Sequence, residues 1–361
     1  MVLLQLAYLR RIVFALAFWT SLALLVPAVD AHIAAWHKGM YCLNGTDPHV
    51  ANQNANEAVN PLYMLDRRDW WMHHVNKCDE FPPAPGDFLE LPAGKSFVVE
   101  LAGNRAFTSL SYNGRYTGVF GDGKPRPGMD GGRSKEGCIT NPNLHTKSEK
   151  EATGTAFAIS YHSNLADVKP ENLVVFSVLY HTPWKRIAKY EVPNLPACPE
   201  GGCHCVWGWV PDGCGEPNMY MQPLKCKVVG HTGNRAVAPA KPPVFCELDQ
   251  SKCVKGAKQM VFWNQLNGNN IVTPGSRAPT YNQRLGFANG RQTDIFLQEG
   301  TAPTTYIPPG PSVTPTDHSD VREESDADSA PRSLDALVPL KTLAVPLLIF
   351  IASVYLGVWN A

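Results

Sequence analysis

Three short runs decide the fold: Ser96-Phe97-Val98-Val99-Glu100-Leu101, Ala156-Phe157-Ala158-Ile159-Ser160-Tyr161 and Leu173-Val174-Val175-Phe176-Ser177-Val178. Each is rich in β-branched and aromatic residues and is flanked by Gly, Pro or Asn. None carries the long 3.6-residue period of an amphipathic helix. Around them, from His32 to about residue 300, the chain is dense in Gly, Pro and Asn. Short strands separated by frequent turns predict an all-β fold, an antiparallel immunoglobulin/fibronectin-like β-sandwich of one domain with long loops. About 270 residues is large for a simple sandwich but within the range of a single all-β domain.

Outward from that domain, residues 1–31 read as a secretory signal peptide. Arg10-Arg11 precede an apolar run over residues 12–26, and Val29-Asp30-Ala31 supplies a small-residue exit. The run is too short for a membrane span. Cleavage after Ala31 leaves His32 at the N-terminus, where one residue offers both an α-amine and an imidazole to a metal. All ten cysteines follow the leader, and an even number in an exported chain predicts disulfides whose pairing spacing alone does not give. Asn44-Gly45-Thr46 is an N-glycosylation sequon, which places Asn44 on a surface loop. Formal net charge is zero and no basic cluster stands out, so nucleic acid is not an expected partner.

Composition turns to Pro, Ser, Thr and acid over residues 301–335, which cannot bury a core and reads as a linker. Residues 336–361 end in an apolar tail without a basic flank. With small residues at Ser325-Asp326-Ala327 or Asp328-Ser329-Ala330, this reads as a GPI-attachment signal and hence a membrane tether through a lipid anchor. A plain transmembrane anchor is the alternative.

The segment His32-Ile33-Ala34-Ala35-Trp36-His37-Lys38-Gly39-Met40-Tyr41, with four later blocks, resembles the fungal lytic polysaccharide monooxygenases of auxiliary-activity family 14. Those blocks are Asp69-Trp70-Trp71-Met72-His73, residues 85–94, Ala197-Cys198-Pro199-Glu200-Gly201-Gly202-Cys203-His204-Cys205 and Gly256-Ala257-Lys258-Gln259. The resemblance covers nearly all of residues 32–300, in order. The chain departs from it at Cys42 and Cys78, expected to pair as a disulfide peculiar to this branch, and in the Gly-rich stretch 118–137, expected to be a remodelled surface loop.

The resemblance implies a copper histidine brace: the amine and side chain of His32 plus the side chain of a second histidine, with an external electron donor and O2 or H2O2 as co-substrate. Imidazole and amine nitrogens hold both oxidation states of copper while leaving positions open. His145, in a loop before the strand Ala156 to Tyr161, stands where the family places its second ligand; His162 is the runner-up. His37 and His73 read as structural. His204 between Cys203 and Cys205 suggests a zinc site, but in an oxidising compartment disulfides at those cysteines are the expected reading. Tyr220 matches the family's axial tyrosine. Asn218 falls two residues earlier, on the same strand face, where related monooxygenases often have glutamine. The tryptophans Trp36, Trp70, Trp71, Trp207, Trp209 and Trp263 are divided between core packing and sugar stacking, and Trp36 and Trp209 are candidates to carry an oxidising hole away from copper. The implied protein is a secreted monomer that oxidises insoluble polysaccharide, with xylan on cellulose the suggested substrate; the rival is an anchored copper-binding protein without turnover.

Overall fold

The computed structural model describes residues 32–129, 137–138 and 144–298. The expected leader, linker and anchor tail lie outside those residues. The three β-prone runs form strands at the expected places: β3 (Ser96–Ala102), β4 (Thr155–Ser160) and β5 (Val174–Leu179). They join β1 (Ala34–Trp36), β2 (Leu89–Pro92), β6 (Ile187–Glu191), β7 (Cys203–Trp209), β8 (Tyr220–Val229) and β9 (Gly290–Arg291). One sheet has the order β1-β3-β6 and the other β2-β8-β7-β4-β5-β9. Every pairing is antiparallel except β2 with β8, which is parallel.

The larger sheet is buried on both faces, which is why its strands read as unbroken apolar runs rather than alternating ones. On one face Phe157, Ile159, Phe176, Trp207 and Trp209 pack against Trp36, Phe97, Val99 and Tyr190 of the smaller sheet. On the other face Ala156, Ala158, Val175, Val206 and Met221 meet Leu62, Trp70, Phe262, Tyr281 and Phe287 from irregular segments. Period-2 alternation therefore assigns neighbouring residues to two cores rather than to core and water. Gly208 permits the second core: a Cβ there would stand 2.7 Å from the Tyr281 hydroxyl oxygen.

Trp70 ends a short helix, α1 (Arg67–Trp70), and Trp71, whose own backbone is extended, opens a tight turn through residues 71–76. The two rings meet each other edge-on at 5.7 Å, and both contact Phe262.

All ten cysteines are paired: Cys42–Cys78, Cys138–Cys214, Cys198–Cys203, Cys205–Cys226 and Cys246–Cys253. The expected Cys42–Cys78 bond is present. The expected disulfides take both cysteines that flank His204, in two different bonds, and so leave no thiol there for zinc. Among the described residues no helix is long and apolar enough to cross a membrane.

Candidate functional site

Strand register brings the site together at one end of the sandwich. β8 begins at Tyr220, which pairs with Trp209 at the end of β7; Trp209 in turn pairs with Thr155 at the start of β4. His145 lies in the loop entering β4, at a left-handed turn with φ 47°, and it is buried. His32 lies two residues before β1, whose Ala34 pairs with the last residue of β3, Ala102.

Two imidazole nitrogens converge on one phenol. His32 Nδ1 is 3.1 Å from the Tyr220 hydroxyl, and His145 Nε2 is 3.3 Å from the same oxygen. His145 Nδ1–H donates to the Cys214 carbonyl at 2.5 Å. That bond fixes the tautomer, so the Nε2 lone pair points at Tyr220. Burial pushes the His145 pKa down to about 4; the Cys214 carbonyl opposes this and the neighbouring His32 adds to it. The ring is therefore neutral near pH 7, the form a metal needs. Burial, with Glu216 nearby, raises the Tyr220 pKa, so its oxygen remains a protonated phenol. Trp209 stacks on Tyr220 at 4.5 Å and 24° and meets the His145 ring edge-on at 5.4 Å.

Asn218 is buried beside these groups. Its side-chain amide hydrogen-bonds the Tyr220 hydroxyl and lowers that pKa, while its Oδ1 has no hydrogen-bond partner among the described residues. It precedes β8 rather than lying within it.

One contributor was not anticipated. Gln222, buried in β8 on the same face as Tyr220, accepts the Ala35 N–H through Oε1 at 2.9 Å and donates Nε2 to the Ala35 carbonyl at 3.1 Å. A side-chain amide thus imitates a neighbouring strand and ties β1 of one sheet to β8 of the other. It fixes where the chain three residues after His32 sits relative to Tyr220. Its two-residue spacing from Tyr220 was the available signal.

The other candidates separate from this cluster. His162 follows β4 at its far end, about 20 Å from the Thr155 end at 3.3 Å per residue. Its carbonyl accepts a hydrogen bond from His204 there, so it is not a neighbour of His32. His37 caps the turn after β1 by accepting the Gly39 N–H, and burial pushes its pKa down to about 4. His73 lies 3.1 Å from the Met221 carbonyl through Nδ1 and from the Glu57 carbonyl through Nε2, and so anchors β8. Trp36, Trp70, Trp207 and Trp209 are fully buried and cannot stack on a sugar from outside. Of the two tryptophans considered for charge transfer, only Trp209 touches Tyr220; Trp36 is held in the core with its indole N–H on the Ala102 carbonyl. His74, Asp79 and Glu80 also bring potential ligand atoms together, but that set is one imidazole and two carboxylates, which suits harder cations than copper.

A copper ion fits the converging donors. His145 is a neutral imidazole with one nitrogen facing inward and its opposite N–H held by a backbone carbonyl, as a nitrogen-ligated copper requires.

Comparison with known proteins agrees. The family model for lytic polysaccharide monooxygenase AA14 matches residues 13–344. AA14 family lytic polysaccharide monooxygenase B of Pycnoporus cinnabarinus is 35% identical over 292 residues, covering 78% of this chain and 74% of that protein. The protein of the same name from Talaromyces rugulosus is 36% identical over 302 residues, covering 77% of this chain and 97% of the relative. That from Trametes coccinea (strain BRFM310) is 34% identical over 309 residues, covering 82% and 70%. The chain therefore belongs to auxiliary-activity family 14 of the lytic polysaccharide monooxygenases, copper-dependent oxidoreductases that cleave polysaccharide with an external reductant and O2 or H2O2.

Proposed function

We propose that removal of residues 1–31 frees the His32 α-amine, and that this amine, His32 Nδ1 and His145 Nε2 hold one copper ion with the Tyr220 oxygen beside it. The observation that carries this reading is the convergence of the two imidazole nitrogens on one buried phenol, one of them with its tautomer set by the Cys214 carbonyl. When bound, copper would supply, with an external reductant, the activation of O2 or H2O2 needed to oxidise a C–H bond beside a glycosidic linkage. The chain's own residues do the rest. Cys214 orients His145, Gln222 fixes the strand that carries His32, Trp209 backs the phenol, and the Asn218 amide offers a short-range hydrogen-bonding group.

The substrate in this reading is xylan on cellulose or another insoluble wall polysaccharide. The protein acts as a secreted monomer, held at the cell surface by a GPI anchor that replaces the 336–361 tail, and reaching outward on the linker that begins at residue 301. Asn44 carries a glycan.

The test is direct. Mass spectrometry of the secreted protein should find His32 at the N-terminus, and the copper-loaded protein with reductant should release oxidised oligosaccharides from xylan-coated cellulose. Tight copper binding with no product on a broad polysaccharide panel would favour copper capture instead. An N-terminus other than His32 would remove the brace.

A further inference from the structure

We propose that Tyr112, Arg115 and Tyr116 form a docking platform for polysaccharide chains that carry uronic-acid groups; the proposal builds on the polysaccharide-oxidising reading above. The buried tryptophans leave sugar stacking to other rings, and the exposed aromatics lie elsewhere. Tyr112 and Tyr116 are 37% and 46% exposed, and their rings stand at 81° to each other with centroids 5.2 Å apart. Two rings at right angles make a corner in which one can lie flat beneath a pyranose while the other stands at its side. Val119, 54% exposed, adds apolar area on the same loop.

The loop is held, not merely exposed. Tyr112 has φ 47° and Asn113 φ 53°, a left-handed backbone that a bulky tyrosine adopts only when its surroundings impose it. Here the Tyr112 N–H donates to Gln53 Oε1, and its hydroxyl accepts from Asn54 Nδ2 at 2.7 Å. Buried Glu100 accepts the Ser109 N–H and pairs with Arg186, whose Nε donates to the Gly118 carbonyl. The loop leaves β3 at Ala102, the residue paired with Ala34, so it starts beside the chain segment that bears His32. The loop that carries the platform therefore begins at the end of the sandwich where the metal donors converge.

Charge selects the ligand. Arg115 is exposed, its guanidinium lies 5.7 Å from the Tyr116 ring centroid, and among the described residues it forms no ion pair. An unpaired guanidinium matches a carboxylate in a two-pronged fork, whereas a neutral sugar gives it no such partner. Tyrosine faces bind the apolar side of any pyranose, and Arg115 adds a preference for chains bearing a uronate.

Affinity electrophoresis of the copper-free protein against glucuronoxylan and against neutral, unsubstituted xylan tests this. We expect about fivefold tighter binding to glucuronoxylan at low salt, as for one exposed charge pair, with the preference gone at about 1 M salt. Arg115→Gln should erase the preference and keep the binding to neutral xylan, and Tyr116→Ala should weaken binding to both. Both side chains are exposed, and a melting curve checks that the fold is intact. Equal affinity of the wild type for the two polymers, or an unchanged preference in Arg115→Gln, overturns the uronate assignment; unchanged binding in both Tyr112→Ala and Tyr116→Ala overturns the platform. His145→Ala should still bind glucuronoxylan in an Arg115-dependent way. If the wild type binds so but releases no oxidised product, the enzymatic reading fails and the platform stands.

Discussion

The two ends of the larger sheet carry the same local chemistry and different prospects. At one end His145 donates Nδ1–H to the Cys214 carbonyl and directs Nε2 at the Tyr220 hydroxyl. At the other end His204 donates Nδ1–H to the His162 carbonyl at 2.8 Å and directs Nε2 at the Tyr41 hydroxyl, 3.0 Å away. Both pairs are buried, both histidine pKa values are lowered mainly by desolvation, and disulfides flank both. The difference is a second imidazole: His32 Nδ1 also reaches Tyr220, while the Tyr41–His204 pair lies between strand residues locked by Cys198–Cys203 and Cys205–Cys226. A histidine of fixed tautomer against a tyrosine is thus a structural joint by itself. In the proposed function it becomes a metal donor set where a separate part of the chain brings in further nitrogen.

The largest expected effect separates the two ends outright. His32→Ala or His145→Ala should lower copper affinity by more than about 100-fold, beyond the loss seen for outer contacts, while His204→Ala should leave it unchanged in calorimetric titration. The reverse holds for stability. His204→Ala strands the Tyr41 hydroxyl and the His162 carbonyl in the interior and should cost about 2–4 kcal/mol in denaturant unfolding.

Gln222→Ala sharpens the comparison, since it removes the tie between the strand near His32 and the strand of Tyr220 without touching a donor atom. It should cost about 1–3 kcal/mol by leaving the Ala35 peptide unpaired. It should also weaken copper binding about tenfold, the lower end for an orienting contact, and alter the Cu(II) EPR spectrum. An unchanged spectrum would make the amide purely structural.

The remaining comparison is in pH. His37 and His145 have folded pKa values pushed down from 6.5 to about 4 by burial, and His204 shifts in the same direction. In this window the unfolded chain binds more protons than the folded one, so the stability of the metal-free protein rises with pH and is lost as pH falls from 6.5 towards 4. Denaturant midpoints across this range should follow that slope, and His204→Ala should make it shallower.

Much of the framework was legible before the structure. The strands β3, β4 and β5 follow from runs of β-branched and aromatic residues, which suit a pleated, buried surface whatever packs on it. The exit at Ala31 singled out His32, and the resemblance supplied His145 and Tyr220. The contact of Trp70 and Trp71 with Phe262 was not legible, because a two-residue aromatic pair has no period and Phe262 reaches it from nearly 200 residues away. His162 was a fair rival to His145 on residue type alone; they were distinguished only when strand β4 placed them at opposite ends.

Sequence by itself thus determined where strands β3, β4 and β5 run, which residues offer nitrogen ligands and how many thiols are there to pair, because those properties belong to residue types and their spacing. Tertiary structure alone decided which histidines meet. The convergence on Tyr220, the Cys214 carbonyl that sets a tautomer, and the Gln222 amide that joins two sheets all depend on registers between segments up to 188 residues apart. Such registers are fixed by packing of the whole core, not by any local pattern.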